Sequence, residues 1–362
     1  MSGLRGILER MRPAFEEGGK LVRLKPVFEA LDHFLFAAAE KTQNAPFGRD
    51  PIDVKRYMSL VILALMPSFI ASVYFFGWRI ILMLLVSYVA GAVVEVLFAI
   101  VRKEEINEGF LVTGFIFPLI LPPGLPLWMV AVGVIFGVLI GKEVFGGTGR
   151  NLFNPALVGR VFLALGYPSA MAATWIKPLV LPWGRLLAPF GFGVPEAVSS
   201  ATPLALAKSG TLTGIFDLFV GRTLGSGGET SALAILLGGL FLIFVGVASW
   251  RTVLAIVASF AALAAVFHAL LPAAVPPVWF HLLSGGFLFG TFFMATDPVS
   301  GPITRSGKWA YGILIGAATI LIRSFSGYVE GMMFAILLGN IFAPLIDEVA
   351  IRLKARRYAH GQ

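Results

Sequence analysis

From residue 57 onward the chain alternates long apolar runs with short polar breaks. Ten of these runs are candidates to cross a hydrocarbon core of roughly 30 Å: 57–76, 79–101, 109–122, 125–143, 154–171, 230–248, 252–271, 279–295, 309–323 and 330–346. The pattern predicts an all-α polytopic membrane protein. Several runs are short or interrupted, at the Pro pair 122–123, at Asp297-Pro298, and within FGGTGRNLFNPALVGR (145–160) and FSGYVEGMMFAILLGNIF (325–342). A bilayer tolerates such breaks only where protein or a lined cavity satisfies the freed backbone groups. The interruptions therefore mark expected sites.

The two halves resemble each other. Trp78-Arg79, Leu82, Ser87 and Ala90 recur as Trp250-Arg251, Leu254, Ser259 and Ala262. Gly109-Phe110-Leu111 recurs as Gly286-Phe287-Leu288. Phe145, Gly147, Leu157, Gly159 and Phe162 recur as Phe325, Gly327, Leu337, Gly339 and Phe342, all at one offset. With five runs in each half, the second lies upside down relative to the first, which is the inverted-repeat plan of many transporters. The expected organisation is an amphipathic cytoplasmic extension over 1–56, a first five-helix repeat over 57–171, and an external loop over 172–229. A second repeat over 230–346 and a basic tail over 347–362 complete it.

Composition agrees with the pattern: 57% of residues are hydrophobic, 13% are charged, and the mean hydropathy is +0.86. So little polar surface could not cover a soluble fold. The net charge of +8 would suit nucleic acid, but the position of the charges assigns it differently. Lys and Arg crowd the stretch from Arg5 to Arg56, and with the N-terminus inside, Arg102, Lys103, Lys142, Arg150, Arg251, Arg305, Lys308 and Arg352 to Arg357 fall inside too. Arg79, Lys177, Arg185, Lys208, Arg222 and Arg323 fall outside, and Arg160 lies within a span. By the positive-inside rule both termini are cytoplasmic and the 172–229 connection is external. The first 56 residues have no apolar h-region, so no cleavable signal is expected. Zero cysteines exclude disulfides, thiolate iron–sulfur clusters and Cys-based zinc sites. The four histidines show no metal-ligand spacing; His268 and His281 near helix ends are expected to be satisfied interfacial residues, with a bis-histidine haem the rarer reading. No dinucleotide fingerprint, phosphate loop or nucleophile elbow occurs.

Two smaller features carry chemistry. The stretch AVSSATPLA (197–205) sets Ser199, Ser200 and Thr202 close together, and Thr202-Pro203 has the form of a helix N-cap followed by proline. Three acids lie in or beside spans: Glu95, Asp297 and Asp347. A charge at a helix centre costs roughly 2.5–3.5 kcal/mol on insertion scales, so each needs a reason. Oxygen ligands of this kind hold hard cations such as Na+. Glu95 is the only ionisable residue of SYVAGAVVEVLFAI apart from its tyrosine, and its repeat counterpart is Phe267, so the fold does not itself demand an acid there.

RKEEINEGFLVT, LPPGLPLW, FGGTGRNLFNPALVGR, FFMATDPVS, EGMM and NIFAPLID together resemble the NqrB/RnfD family over nearly the whole chain. The likeness is to its NqrB branch, a membrane component of the sodium-translocating NADH:quinone oxidoreductase, Na+-NQR. The RnfD branch, from the Rnf ferredoxin:NAD oxidoreductase, shares the core motifs and is the alternative. The resemblance implies FMN joined through its phosphate to the Thr of an S-x-A-T motif, here Ser199-Ser200-Ala201-Thr202, with Ser200 where the quinone-reductase branch usually has Gly. The small neighbours would let a flavin transferase reach the hydroxyl. It also implies a non-covalent riboflavin at Asn151 and Asn154, a quinone near Gly91 (with Ala92 replacing a family glycine), and Na+ uptake at Glu95, Asp297 and Asp347. Implied partners are an NADH-oxidising flavin and iron–sulfur subunit, a second FMN-carrying subunit and small membrane subunits, in a bacterial inner membrane. A solute channel of inverted-repeat type and a redox-silent scaffold are the other classes; covalent flavin separates them from the first.

Overall fold

The computed structural model describes residues 54–103, 109–178, 201–328 and 330–360, with a few positions nearer the N-terminus. Helices α1 (Val54–Phe76) and α2 (Arg79–Arg102) are followed by the short α3 (Gly109–Leu119), α4 (Leu127–Gly141) and α5 (Pro155–Gly166). Three short helices then cross the connection: α6 (Pro168–Ala173), α7 (Pro203–Lys208) and α8 (Ile215–Val220). The second half runs through α9 (Ala232–Val245), α10 (Trp250–Leu270), α11 (Val278–Leu283), α12 (Phe287–Phe289), α13 (Arg305–Phe325) and α14 (Met332–His360). No strand occurs among the described residues.

Five stretches are long and apolar enough to cross a membrane: Arg56–Phe76, Arg79–Arg102, Leu127–Phe145, Trp250–Leu270 and Met332–Arg356. Gly109–Leu119, Pro155–Gly166 and Ala232–Val245 are apolar but shorter. The run expected at 279–295 is broken into α11, α12 and a single wide π turn over Gly290–Met294. The run at 154–171 stops at Gly166, where Pro168 opens a new helix. Helix α14 runs through Pro344 and continues past 346 to His360, so the basic tail is helical that far.

The helices pack closely because glycines remove side chains at their crossings. A Cβ on Gly137 of α4 would stand 2.5 Å from the Pro155 carbonyl oxygen of α5, so only glycine lets these two backbones meet. Most of the buried core among the described residues is one cluster running from Val61 to Ala343. Large apolar side chains such as Val101, Phe244 and Leu270 face outward. That inversion of the soluble pattern is expected where lipid is the solvent.

Two of the broken segments are held by arginines. Arg79 donates through Nε to Pro123 O (2.8 Å) and through Nη2 to Gly124 O (3.1 Å) and Leu125 O (2.9 Å). Arg323 donates to His281 O (2.7 Å) and Ser284 O (3.2 Å). The carbonyls freed where α3 and α11 end thus find charged donors instead of water, which is what makes the breaks tolerable.

Candidate functional site

Thr202 is fixed by a small apolar anchor. Leu204 and Ala207 of α7 pack on Leu218 of α8 and Phe280 of α11. Lys208 Nζ donates to Ser326 O (2.9 Å) and Tyr328 O (3.2 Å), tying the far end of α7 to the end of α13. Thr202 is the N-cap: its Oγ1 accepts from Ala205 N–H at 3.4 Å, and Pro203 takes the first helical position. The capping half of the expectation holds. Ser199 and Ser200 lie outside the described residues.

Thr202 also lines a cavity of about 450 Å³, inside the range of small-molecule sites. Trp175 and Tyr328 supply aromatic wall, and Arg160, Glu229 and Glu330 supply charge. Arg160 is buried on α5 at 3% exposure, and it holds both acids. Its Nη1 donates to Glu229 (2.6 Å), while Nη2 donates to Glu330 and to Ser226 Oγ (3.3 Å). Its Nε–H has no partner. Glu229 comes from the connection between α8 and α9, and Glu330 from that between α13 and α14, so three separate parts of the chain meet at one guanidinium. Burial pushes the Glu229 carboxyl up to about 7, with Arg160 opposing and Glu330 adding to the rise.

A second cavity, of about 80 Å³, is lined by Asn151, Asn154, Lys142, Tyr57, Asp297 and the rings of Phe292 and Phe293, among others. Both halves contribute to it. Asn154 caps α5, accepting from Ala156 N–H (3.1 Å) and Leu157 N–H (3.4 Å), and its own N–H donates to Asn340 Oδ1 (3.4 Å). Asn151 Nδ2 donates to Phe153 O (3.0 Å). The sequence-predicted pair is therefore brought together, but Asn154 Oδ1 is already engaged as a cap. At this volume the cavity as it stands does not fit a three-ring flavin. The two cavities lie toward opposite ends of α5: Asn154 and Pro155 line one, Arg160 and Ala164 the other. Ten residues of helix, roughly 15 Å, separate Asn154 from Ala164.

The three acids do not converge, and no cluster of three His, Cys, Asp or Glu suited to a metal ion occurs among the described residues. Glu95 is ion-paired with Lys142, and both are buried, at 6% and 3% exposure. The partner of Glu95 comes from the far end of α4, a position that charge counting assigns to the cytoplasmic side. Beside them Arg102 Nη1 donates to Glu143 at 2.8 Å. Asp297 accepts from Val299 N–H (3.1 Å) and Ser300 Oγ (2.8 Å). Burial raises its carboxyl, and these hydrogen bonds oppose the rise. Asp347 on α14 accepts from Ile303 N–H (2.7 Å) and Thr304 N–H (3.0 Å), fastening the start of α13. Gly91 is buried where α2 meets α3, and a Cβ there would stand 2.9 Å from Phe110 Cζ. It lines neither cavity. His281 is buried against Phe260 and Phe280 with neither ring nitrogen bonded, so it is not the satisfied interfacial residue expected. His268 meets the expectation through Nδ1 and Val275 O at 2.7 Å.

Sequence reasoning missed Glu229, Glu330 and Lys142 as site residues. Arg160, a charge inside an apolar run, was the signal that could have led to the first two.

An all-helical chain with several helices apolar enough to cross a membrane, two cavities along one short helix and charged clamps on its broken segments belongs among the polytopic membrane proteins built around internal sites. The chain is a member of the NQR2, RnfD, RnfE family, whose model matches residues 41–355. It is 39% identical, over an alignment of 410 positions including gaps, to a protein of Azotobacter vinelandii named as a component of the Na(+)-translocating NADH-quinone reductase, covering 98% of each chain. Proteins of the same name from Pseudomonas aeruginosa and Klebsiella pneumoniae are 38% and 39% identical, again over 98% of each chain.

Proposed function

We propose that this chain is the membrane subunit of a sodium-pumping NADH:quinone oxidoreductase, carrying FMN as a phosphoester on Thr202 and passing electrons toward quinone. The observation that carries this reading is the position of Thr202, a hydroxyl on the lining of a cavity of about 450 Å³ with aromatic wall and a buried charged floor. The name borne by full-length relatives supports the same complex.

When bound, the flavin supplies the electron-accepting chemistry that no side chain here offers. The chain's residues do the rest. The anchor of α7 fixes the attachment point, Trp175 and Tyr328 offer faces for a planar ring, and Arg160 holds a positive charge at the floor. Riboflavin is assigned to Asn151 and Asn154, of which Asn151 Oδ1 and Asn154 Nδ2 are not taken by the bonds to Phe153 and the α5 cap; the cavity as it stands is too small for the three rings. Quinone is assigned to the neighbourhood of Gly91, and Na+ to Glu95, Asp297 and Asp347.

The proposed topology is ten spans in two inverted repeats, with both termini cytoplasmic in a bacterial inner membrane. Packing supports it: α2 on α4 and α4 on α5 are matched by α10 on α13 and α13 on α14. At the repeat offset that relates Phe145 to Phe325, Arg160 corresponds to Asn340. Arg160 is the hub of the first cavity's floor, while Asn340 bonds Ser300 O (3.1 Å), Tyr311 Oη (2.9 Å) and Asn154 N–H beside the second. Equivalent residues serving opposite ends of the fold are what an inverted repeat requires. Electrons would arrive from an NADH-oxidising partner and a second FMN-carrying one, with small membrane subunits completing the complex.

The test is intact-mass measurement and in-gel flavin fluorescence of the denatured protein, wild type against Thr202→Ala. Wild type should carry one flavin-sized increment and fluoresce, and the variant should insert but stay dark. An increment that survives the substitution refutes the assignment.

A further inference from the structure

Glu229 and Glu330 approach one guanidinium from different connections, and they also approach each other. A Cβ on Gly286 would stand within about 2.5 Å of a carboxylate oxygen of each acid, so these two oxygens are at most about 5 Å apart. Gly286 N–H donates to Glu330 Oε1 (3.2 Å), and Ser226 Oγ bonds Arg160 beside Glu229. Arg323 on α13 is the other charge near the pair, itself bound to His281 O and Ser284 O; His281, facing Phe260, bonds neither acid. Two acids and two guanidiniums balance when both acids are ionised. All but Arg323 line the Thr202 cavity directly.

A buried site of this kind cannot absorb an added negative charge cheaply. Carboxylates crowded together bind a proton more readily than either would alone. We propose that Glu229 and Glu330 form a proton-accepting pair that compensates the charge arriving on a flavin tethered at Thr202. The proposal rests on the Thr202 reading. As one electron from an external one-electron donor enters the ring, the ring gains one unit of negative charge, and one proton from bulk solvent, relayed through water in the cavity, binds the carboxylate pair. The balance becomes two guanidiniums against one carboxylate and one ring charge, a net change of zero. When the electron leaves, the proton is released. Burial already holds the Glu229 carboxyl high enough for uptake near neutral pH. Arg160 is the positioning residue that keeps the two acids together; Glu330, at 18% side-chain exposure, is the more accessible to water.

The experiment is infrared difference spectroscopy of the purified complex, reduced electrochemically or with dithionite, in wild type, Glu229→Gln and Glu330→Gln. Wild type should show a protonated-carboxyl band appearing on reduction, and both variants should lose it. The flavin midpoint potential should also fall more steeply with pH in wild type than in either variant, the coupled proton contributing up to about 59 mV per pH unit for one electron. The proposal is overturned by a wild type with flavin on Thr202 but no such band, or by variants that retain flavin and show the wild-type band and slope. In that case the cluster only ties the connections together, and the substitutions would lower thermal stability alone. Should a variant lose its flavin, the wild-type band and the other variant decide. Absence of flavin from Thr202 in wild type refutes the earlier reading instead, and mass measurement distinguishes the two failures.

Discussion

Replacing Lys142 with methionine removes the ammonium group that faces Glu95 while keeping an unbranched side chain of similar length. Both groups are almost fully enclosed between α2 and the end of α4. Removing one member of a buried pair costs about 3–5 kcal/mol, because the other charge is left without compensation; replacing both with neutral groups of similar volume is close to neutral or even stabilising. Lys142→Met and Glu95→Gln should each destabilise the protein by a few kcal/mol, and the double variant should recover most of the loss. With singles of at least about 3 kcal/mol each and a nearly neutral double variant, the coupling energy in the double-mutant cycle should be about 5 kcal/mol or more, well above the roughly 0.2–1 kcal/mol of an exposed pair. Reversible denaturation of the purified protein in mixed micelles reads this quantity. The same pair makes a functional prediction of opposite signs. The lysine ammonium occupies the place where a cation would meet Glu95, so Lys142→Met should lower the sodium concentration for half-maximal quinone reduction by the assembled complex, and Glu95→Gln should raise it. A coupling energy below about 1 kcal/mol, the range of exposed pairs, would refute the energetic argument. Sodium curves superimposable on wild type for both variants would make the pair purely structural.

Replacing Asn151 and Asn154 together with leucine should lower riboflavin content and leave the mass increment on Thr202 intact, since the two cavities lie toward opposite ends of α5; loss of the Asn154 cap should cost about 0.5–2 kcal/mol of stability besides. Unchanged riboflavin stoichiometry in the purified variant rejects the assignment. Gly91→Ala would press its methyl group on the Phe110 ring, and overpacking of this kind costs about 1–3 kcal/mol. If quinone binds nearby, the KM for quinone should rise while flavin content stays constant, and an unchanged KM would remove Gly91 from the site.

Hydrophobic runs located the described helices outside the 172–229 connection, because a span must be apolar over most of its length whatever it packs against. They failed where backbone is held by something distant in sequence. The 279–295 run looks continuous, yet it breaks at Ser284 to Gly286 because Arg323 and Glu330 satisfy the freed groups there, and nothing local announces partners some forty residues away. The helix also runs on past the apolar run that ends at 346, because Arg352, Lys354 and Arg356 end the apolar signal without ending the helix, to which such residues are well suited. For the sites, the capping geometry of Thr202 was legible because it depends on the next three residues. The Glu95 to Lys142 pair was not, since it joins two helices whose register a single sequence leaves open.

Helix α5 is only twelve residues long, yet it is fastened at two points: near its start Asn154 N–H meets Asn340, and near its middle Arg160 grips Glu229 and Glu330. A shift of this helix would alter the walls of both cavities together. Thermodynamic linkage then imposes symmetry on the traffic between them. If filling the Thr202 cavity changes the affinity of the Asn151 cavity by some factor, filling the latter must change the former by the same factor. An inhibitor that tightens one end of α5 would thus be read out at the other, without touching it.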